Sequence, residues 1–97
     1  MAKLALLASL QAKRGKEAEV ETFLKSAQGL VLEEEQTATW YAFKAGPSSF
    51  GIFDTFEDEE GRSAHLGGEI AKALMARAQE LFEVTPTIEK LEILAMK

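Results

Sequence analysis

Thr37-Ala38-Thr39-Trp40-Tyr41-Ala42-Phe43-Lys44-Ala45-Gly46-Pro47-Ser48-Ser49-Phe50-Gly51-Ile52-Phe53-Asp54-Thr55-Phe56 is the stretch whose reading decides the fold. Thr37 to Ala45 is rich in β-branched and aromatic residues, which fit a pleated, half-buried surface. Gly46-Pro47-Ser48-Ser49 is a turn-forming cluster, and Phe50 to Phe56 follows it as a second apolar run. The stretch therefore reads as a hairpin of two strands. The turn is not a phosphate loop, because it lacks the Gly-Lys-Ser/Thr ending that sets a cation and a hydroxyl on phosphate and magnesium.

Upstream, Leu4 to Gln11 alternates as a strand, with Leu4, Leu6, Ala8 and Leu10 on one face and Ala5, Leu7, Ser9 and Gln11 on the other. Lys13-Arg14-Gly15-Lys16 turns the chain, and from Lys16 the period becomes helical. Val20, Phe23, Leu24, Ala27, Leu30 and Val31 recur at three- and four-residue steps. Glu33-Glu34-Glu35 closes or follows this helix as a solvated turn, since acids are unfavourable beside the partial negative charge of a helix C-terminus.

Downstream, Asp54 or Thr55 is placed to cap a second helical region, with Glu57, Asp58, Glu59 and Glu60 in its first turn. Gly67-Gly68 bends or interrupts it. Ile70, Leu74, Met75, Ala78, Leu81 and Phe82 then form an apolar stripe that Pro86 ends, and Thr87 to Met96 reads as the last strand. The order is βαββαβ, an α+β, ferredoxin-like arrangement with both helical regions on one face of an antiparallel sheet. The other face carries Leu7, Ser9, one of Trp40 and Tyr41, and one of Ile52 and Phe53. Apolar patches of that size usually mark contact sites, so a second copy of the chain is expected to cover it.

Length and composition agree with one domain over residues 1–97, with 46% hydrophobic and 28% charged residues. A net charge of −5 without a basic block excludes a nucleic-acid surface and suits a cytoplasmic protein. With no cysteine and a single histidine, neither a disulfide framework nor a His/Cys metal cluster is available. Met1-Ala2-Lys3 ahead of Leu4 to Leu10 faintly resembles a secretory leader, but Leu10-Gln11-Ala12 is a poor cleavage site and removal would delete the first strand. No run reaches the roughly 18 apolar residues of a membrane span.

Phe50-Gly51-Ile52-Phe53-Asp54-Thr55-Phe56, then Glu57-Asp58-Glu59-Glu60-Gly61-Arg62-Ser63-Ala64-His65-Leu66, resembles a segment of the antibiotic biosynthesis monooxygenase (ABM) family, quinol monooxygenase-like members included. Ile70-Ala71-Lys72-Ala73-Leu74-Met75 and Thr87-Ile88-Glu89-Lys90-Leu91-Glu92-Ile93-Leu94 extend the resemblance over nearly the whole chain. It implies a homodimeric α/β barrel. Many members of the family carry Trp where this chain has Phe56, and some carry a second histidine that is absent here. The related haem-degrading branch uses an asparagine, and this chain has none.

The chain has no Gly-x-Gly-x-x-Gly fingerprint, so no cofactor is expected. Ground-state dioxygen is a triplet that reacts slowly with closed-shell molecules. An oxygenase without metal or flavin must therefore deprotonate an electron-rich substrate and shield its anion from water. His65 is the natural acid/base, with helix-dipole stabilisation as its ordinary alternative. Asp54, in an otherwise apolar strand, is a second candidate base if it points inward, or else a cap or a partner for Arg62, itself read as a solvated helix residue. Ser9, Trp40, Tyr41, Ile52 and Phe56 are the candidate substrate contacts, and packing in the core or dimer is the alternative for the aromatics. The expected function is oxygenation of a small aromatic or quinol-type substrate by dioxygen. A non-catalytic binding module and an isomerase or lyase are the alternatives.

Overall fold

In a computed structural model that describes residues 2–97, the alternation of Leu4–Gln11 forms β1, an inner strand of a four-stranded antiparallel sheet. Met1, where the leader-like pattern begins, lies outside the described residues. The chain continues through α1 (Glu17–Val31), β2 (Thr37–Lys44), β3 (Ser49–Phe56), α2 (Glu59–Leu66), α3 (Glu69–Ala76), α4 (Ala78–Leu81) and β4 (Thr87–Glu92). The strands lie in the order β2-β3-β1-β4, the ferredoxin-like arrangement expected from βαββαβ.

Register assigns each strand residue to a face. Leu6, Asp54 and Trp40 lie opposite one another across β1, β3 and β2, as do Ala8, Ile52 and Ala42. These face the helices. Beneath α1, α3 and α4 the core gathers Ala8, Leu10, Phe50 and Ile52 with Val20, Phe23, Leu24, Leu74 and Leu81. Burying such side chains contributes about 1.5–3 kcal/mol each. Leu7, Phe53 and Tyr41 occupy the opposite, open face with exposed Ser9, so Trp40 and Ile52 point inward and Tyr41 and Phe53 outward.

A bulge between Thr37 and Thr39 breaks the simple alternation of β2. Thr37 pairs with Phe56 and Trp40 with Asp54, so both share the covered face although they are an odd number of residues apart. Close backbone approach explains Gly51: a Cβ there would lie 2.3 Å from the Phe43 ring.

Four local expectations are corrected. Asp58, and not Asp54 or Thr55, caps α2, its carboxylate accepting from the Gly61 amide at 2.9 Å. Arg62 is 9% exposed rather than solvated, and it does not pair with Asp54. Its Nη1 donates to the Ala5 and Leu91 carbonyls at 3.4 and 3.2 Å, its Nη2 to Glu59, so it ties α2 to β1 and β4. The Ile70 to Phe82 stripe breaks at Arg77 and stops being helical after Leu81. There the backbone pairs with the end of β1 (Lys13 amide to Leu81 carbonyl, Glu83 amide to Gln11 carbonyl, both 2.8 Å), which competes with a further helical turn. β4 ends at Glu92, well before Met96, because Glu92 lies opposite Leu4, where β1 begins.

Candidate active site

Three separate elements converge on the lone histidine. Glu34 sits in the turn after α1, Asp54 on the covered face of β3, and His65 in the last turn of α2. His65 Nε2 lies 2.8 Å from Asp54 Oδ2, and Nδ1 lies 2.6 Å from Glu34 Oε1. Thr37 fixes the second carboxylate, its hydroxyl donating to the same Glu34 oxygen at 2.7 Å. Gly61 lets α2 come close enough for this contact: a Cβ there would stand 3.0 Å from the Gln36 carbonyl oxygen. Phe56 closes the remaining side, its ring 5.4 Å from the imidazole and tilted by 45°.

Asp54 is 1% exposed and His65 8%. Burial works against the charged imidazole and is the largest single influence. Hydrogen bonds and charges from Asp54 and Glu34 together outweigh it and raise the His65 pKa above its ordinary value. An ionised carboxylate only accepts hydrogen bonds, so both nitrogens must carry protons to satisfy both partners. The protonated imidazole thus has an acceptor at each ring nitrogen.

His65 also forms part of the wall of a cavity of about 560 Å³, with Glu33, Glu34, Glu35 and Glu69 around it. That space is acidic. A second cavity of about 440 Å³ lies along β2 and α1, lined by Leu24, Trp40, Tyr41, Phe43 and Phe50. It combines these aromatics with the charged Glu21, Lys25 and Lys44 and does not include His65. Between sheet and helices the interior is packed with side chains, so both hollows lie at the margins of the core.

His65 and Asp54 are thus in contact, with Phe56 against the imidazole and Trp40 in the cross-strand position beside Asp54. Ile52 is buried in the apolar core, while Ser9 and Tyr41 lie on the other side of the sheet from His65. Glu34 and Thr37 were not singled out in the sequence. Glu34 corrects the reading of its acidic run as a purely solvated turn, since only Glu33 and Glu35 are exposed. The one hint was that three acids follow a helix C-terminus, an unfavourable place unless something compensates. Among the described residues no group of three or more His, Cys, Asp or Glu is arranged to hold a metal ion, and no helix is long and apolar enough to cross a membrane.

No family model matches the chain, and no curated protein matches it. Solved structures do. The NE2512 protein of Nitrosomonas europaea, of unknown function, is 55% identical, with a TM-score of 0.97 over 100% of this chain and 94% of that one. A Caulobacter crescentus protein provisionally named an antibiotic biosynthesis monooxygenase is 18% identical, with a TM-score of 0.80 over 97% of this chain and 92% of that one. A further Nitrosomonas europaea protein with the same provisional name is 8% identical, with a TM-score of 0.84 over 95% of this chain and 99% of that one.

Proposed function

We propose, for a chain that belongs to the family of the Nitrosomonas europaea NE2512 protein and has the fold of the antibiotic biosynthesis monooxygenases, that it oxygenates a small aromatic, quinol-type substrate without a metal or flavin. The observation that carries this reading is the continuous chain Asp54–His65–Glu34. It links a carboxylate in the core to one at the wall of an open cavity. A proton taken up at Asp54 has a route through the imidazole to Glu34 and out.

The anion gives one electron to dioxygen, the resulting pair recombines to a peroxide, and loss of water leaves a carbonyl. Overall a CH2 group (of an anthrone, or of a quinol in its keto tautomer, which then enolises to the hydroxyquinone) becomes C=O, one oxygen atom enters the product and the other leaves as water. Both electron pairs come from the substrate, so no outside reductant is required. A second copy of the chain covers the open sheet face in this proposal. Its support is the apolar surface there, with Tyr41 58% exposed and Phe43 40% exposed.

Oxygen uptake with a panel of hydroquinones and anthrones tests the reading. His65→Ala is expected to lower turnover by about 10²–10⁴-fold, the usual worth of a general acid/base. Uptake no greater than background, unchanged by that substitution, would overturn it. A non-catalytic binding module would then be favoured, and one observation already suits it: neither imidazole nitrogen is free to accept a substrate proton directly. Turnover that persists without oxygen would assign an isomerase or lyase instead.

A further inference from the structure

His65 has two ring nitrogens and two carboxylate neighbours, and the neighbours are held very differently. Asp54 reaches Nε2 at 2.8 Å from β3, with its side chain 2% exposed. Glu34 reaches Nδ1 at 2.6 Å from the turn after α1, with its side chain 22% exposed. Glu34 and His65 share the wall of the 560 Å³ cavity, and Asp54 is buried outside that wall. The doubly protonated ring satisfies both carboxylates, but the neutral ring has one N–H only and turns a lone pair toward the other carboxylate oxygen. One contact must then break. Asp54 is fixed in a strand paired on both sides, whereas Glu34 borders open space. Its only other hydrogen bond among the described residues comes from the Thr37 hydroxyl.

We propose that Glu34 is a removable cover on His65 Nδ1, which turns into the cavity when the ring is neutral and leaves that nitrogen facing the cavity as a free base. The Nδ1–H bond breaks as an O–H bond forms on Glu34, the electron pair stays on the nitrogen, and the turned-out carboxyl gives its proton to water. Asp54 keeps the Nε2 proton in its hydrogen bond and so fixes the tautomer and the orientation of the ring. Glu33, Glu35 and Glu69 around the same cavity add negative charge that favours the protonated ring, which makes Nδ1 the stronger base. Resting on the oxygenase reading above, this gives the site what its closed form lacks, a nitrogen able to take a substrate proton from the cavity.

The test uses diethyl pyrocarbonate, which acylates only an unprotonated imidazole nitrogen and needs no substrate. His65 is the only histidine, so the ultraviolet change on modification reports it alone. Above the titration midpoint of each protein, the unaltered chain and Glu34→Ala are expected to react at similar rates, because Nδ1 is uncovered in both. Glu34→Gln is expected to react at least about tenfold more slowly, the worth of one hydrogen bond, because its amide N–H donates to the Nδ1 lone pair and the cover stays shut. A merely structural contact would instead give the isosteric Glu34→Gln the behaviour of the unaltered protein. In nitrogen NMR of the unaltered protein, Nδ1 is expected to lose its proton as pH rises while Nε2 keeps its own.

A neutral ring that resists the reagent in the unaltered protein would overturn the cover. So would Glu34→Gln and Glu34→Ala reacting alike, or Nε2 losing its proton first. Should Glu34→Ala fail to fold, the ratio of the unaltered protein to Glu34→Gln and the nitrogen spectra still decide. The expected pattern with no oxygen uptake would keep the cover and remove the oxygenase. Oxygen uptake that needs His65, with Nε2 as the nitrogen that deprotonates, would do the reverse.

Discussion

The two faces of the one sheet are built from the same strands yet treat polarity in opposite ways. Under the helices lie the most buried side chains, Phe56, Leu81 and Val20, and with them the equally buried Asp54 and its partner His65. On the open face, where water is at hand, Tyr41 and Phe43 are exposed, Leu7 and Phe53 are half-buried, and Thr39 and Thr55 hydrogen-bond each other at 2.6 Å. A charged pair is kept in the dry layer, while on the wet one apolar side chains lie beside the exposed Glu89, opposite Leu7. A buried ion pair is weak evidence for stability, since desolvation can exceed the Coulombic gain. Its position suits chemistry better than scaffolding, and the open face suits association.

The contrast can be broken most severely from the covered side. Phe56→Ala removes a fully buried ring that also packs on His65, and is expected to cost about 3–5 kcal/mol in urea unfolding. Asp54→Ala strands the imidazolium with a single carboxylate, and a loss of up to about 3–5 kcal/mol is expected on the same assay. A loss below about 0.5 kcal/mol would show that the Asp54–His65 contact does not hold the fold together.

The pH dependence is a finer probe. The folded-state pKa of His65 is raised above its ordinary value of 6.5, so its contribution is fully present below about pH 6.5 and is lost as pH climbs through the folded value. Unfolding free energy should therefore decline over that interval, and His65→Gln should abolish the decline. Glu34→Gln, which keeps the hydrogen-bonding shape but removes a charge, should bring the imidazole titration seen by NMR down toward the ordinary value.

The smallest effect on the fold itself is expected from the open face. Tyr41→Asp should leave the stability of one subunit within about 0.5 kcal/mol, as surface substitutions usually do. In the same variant, sedimentation should show subunit association weakened at least about tenfold if a second copy covers this face. Unchanged association would place any dimer contact elsewhere.

Much of this was legible in the chain because it is local. The periods of Leu4 to Gln11 and of Val20 to Val31, the Gly-Pro turn, and the Gly67-Gly68 break each act within a few residues, and βαββαβ follows from them. His65 stood out as the only histidine, and Asp54 as a lone charge in an apolar strand. Glu34 could not be found that way, since it lies 31 residues from its partner and resembles its two exposed neighbours. Arg62 was misread for the same kind of reason: the carbonyls that accept from it belong to strands 57 and 29 residues away. The bulge in β2 was equally hidden, and it decides which side Thr37 and Trp40 share.

By itself, then, the order of residues determined the secondary elements, their succession and the class of fold, because hydrophobic period and turn chemistry are short-range properties. Only the tertiary structure decided which carboxylates meet the imidazole, which aromatic turns inward, and which carbonyls hold Arg62. Those outcomes depend on strand register and helix placement, and a single-residue slip would carry each side chain to the opposite face.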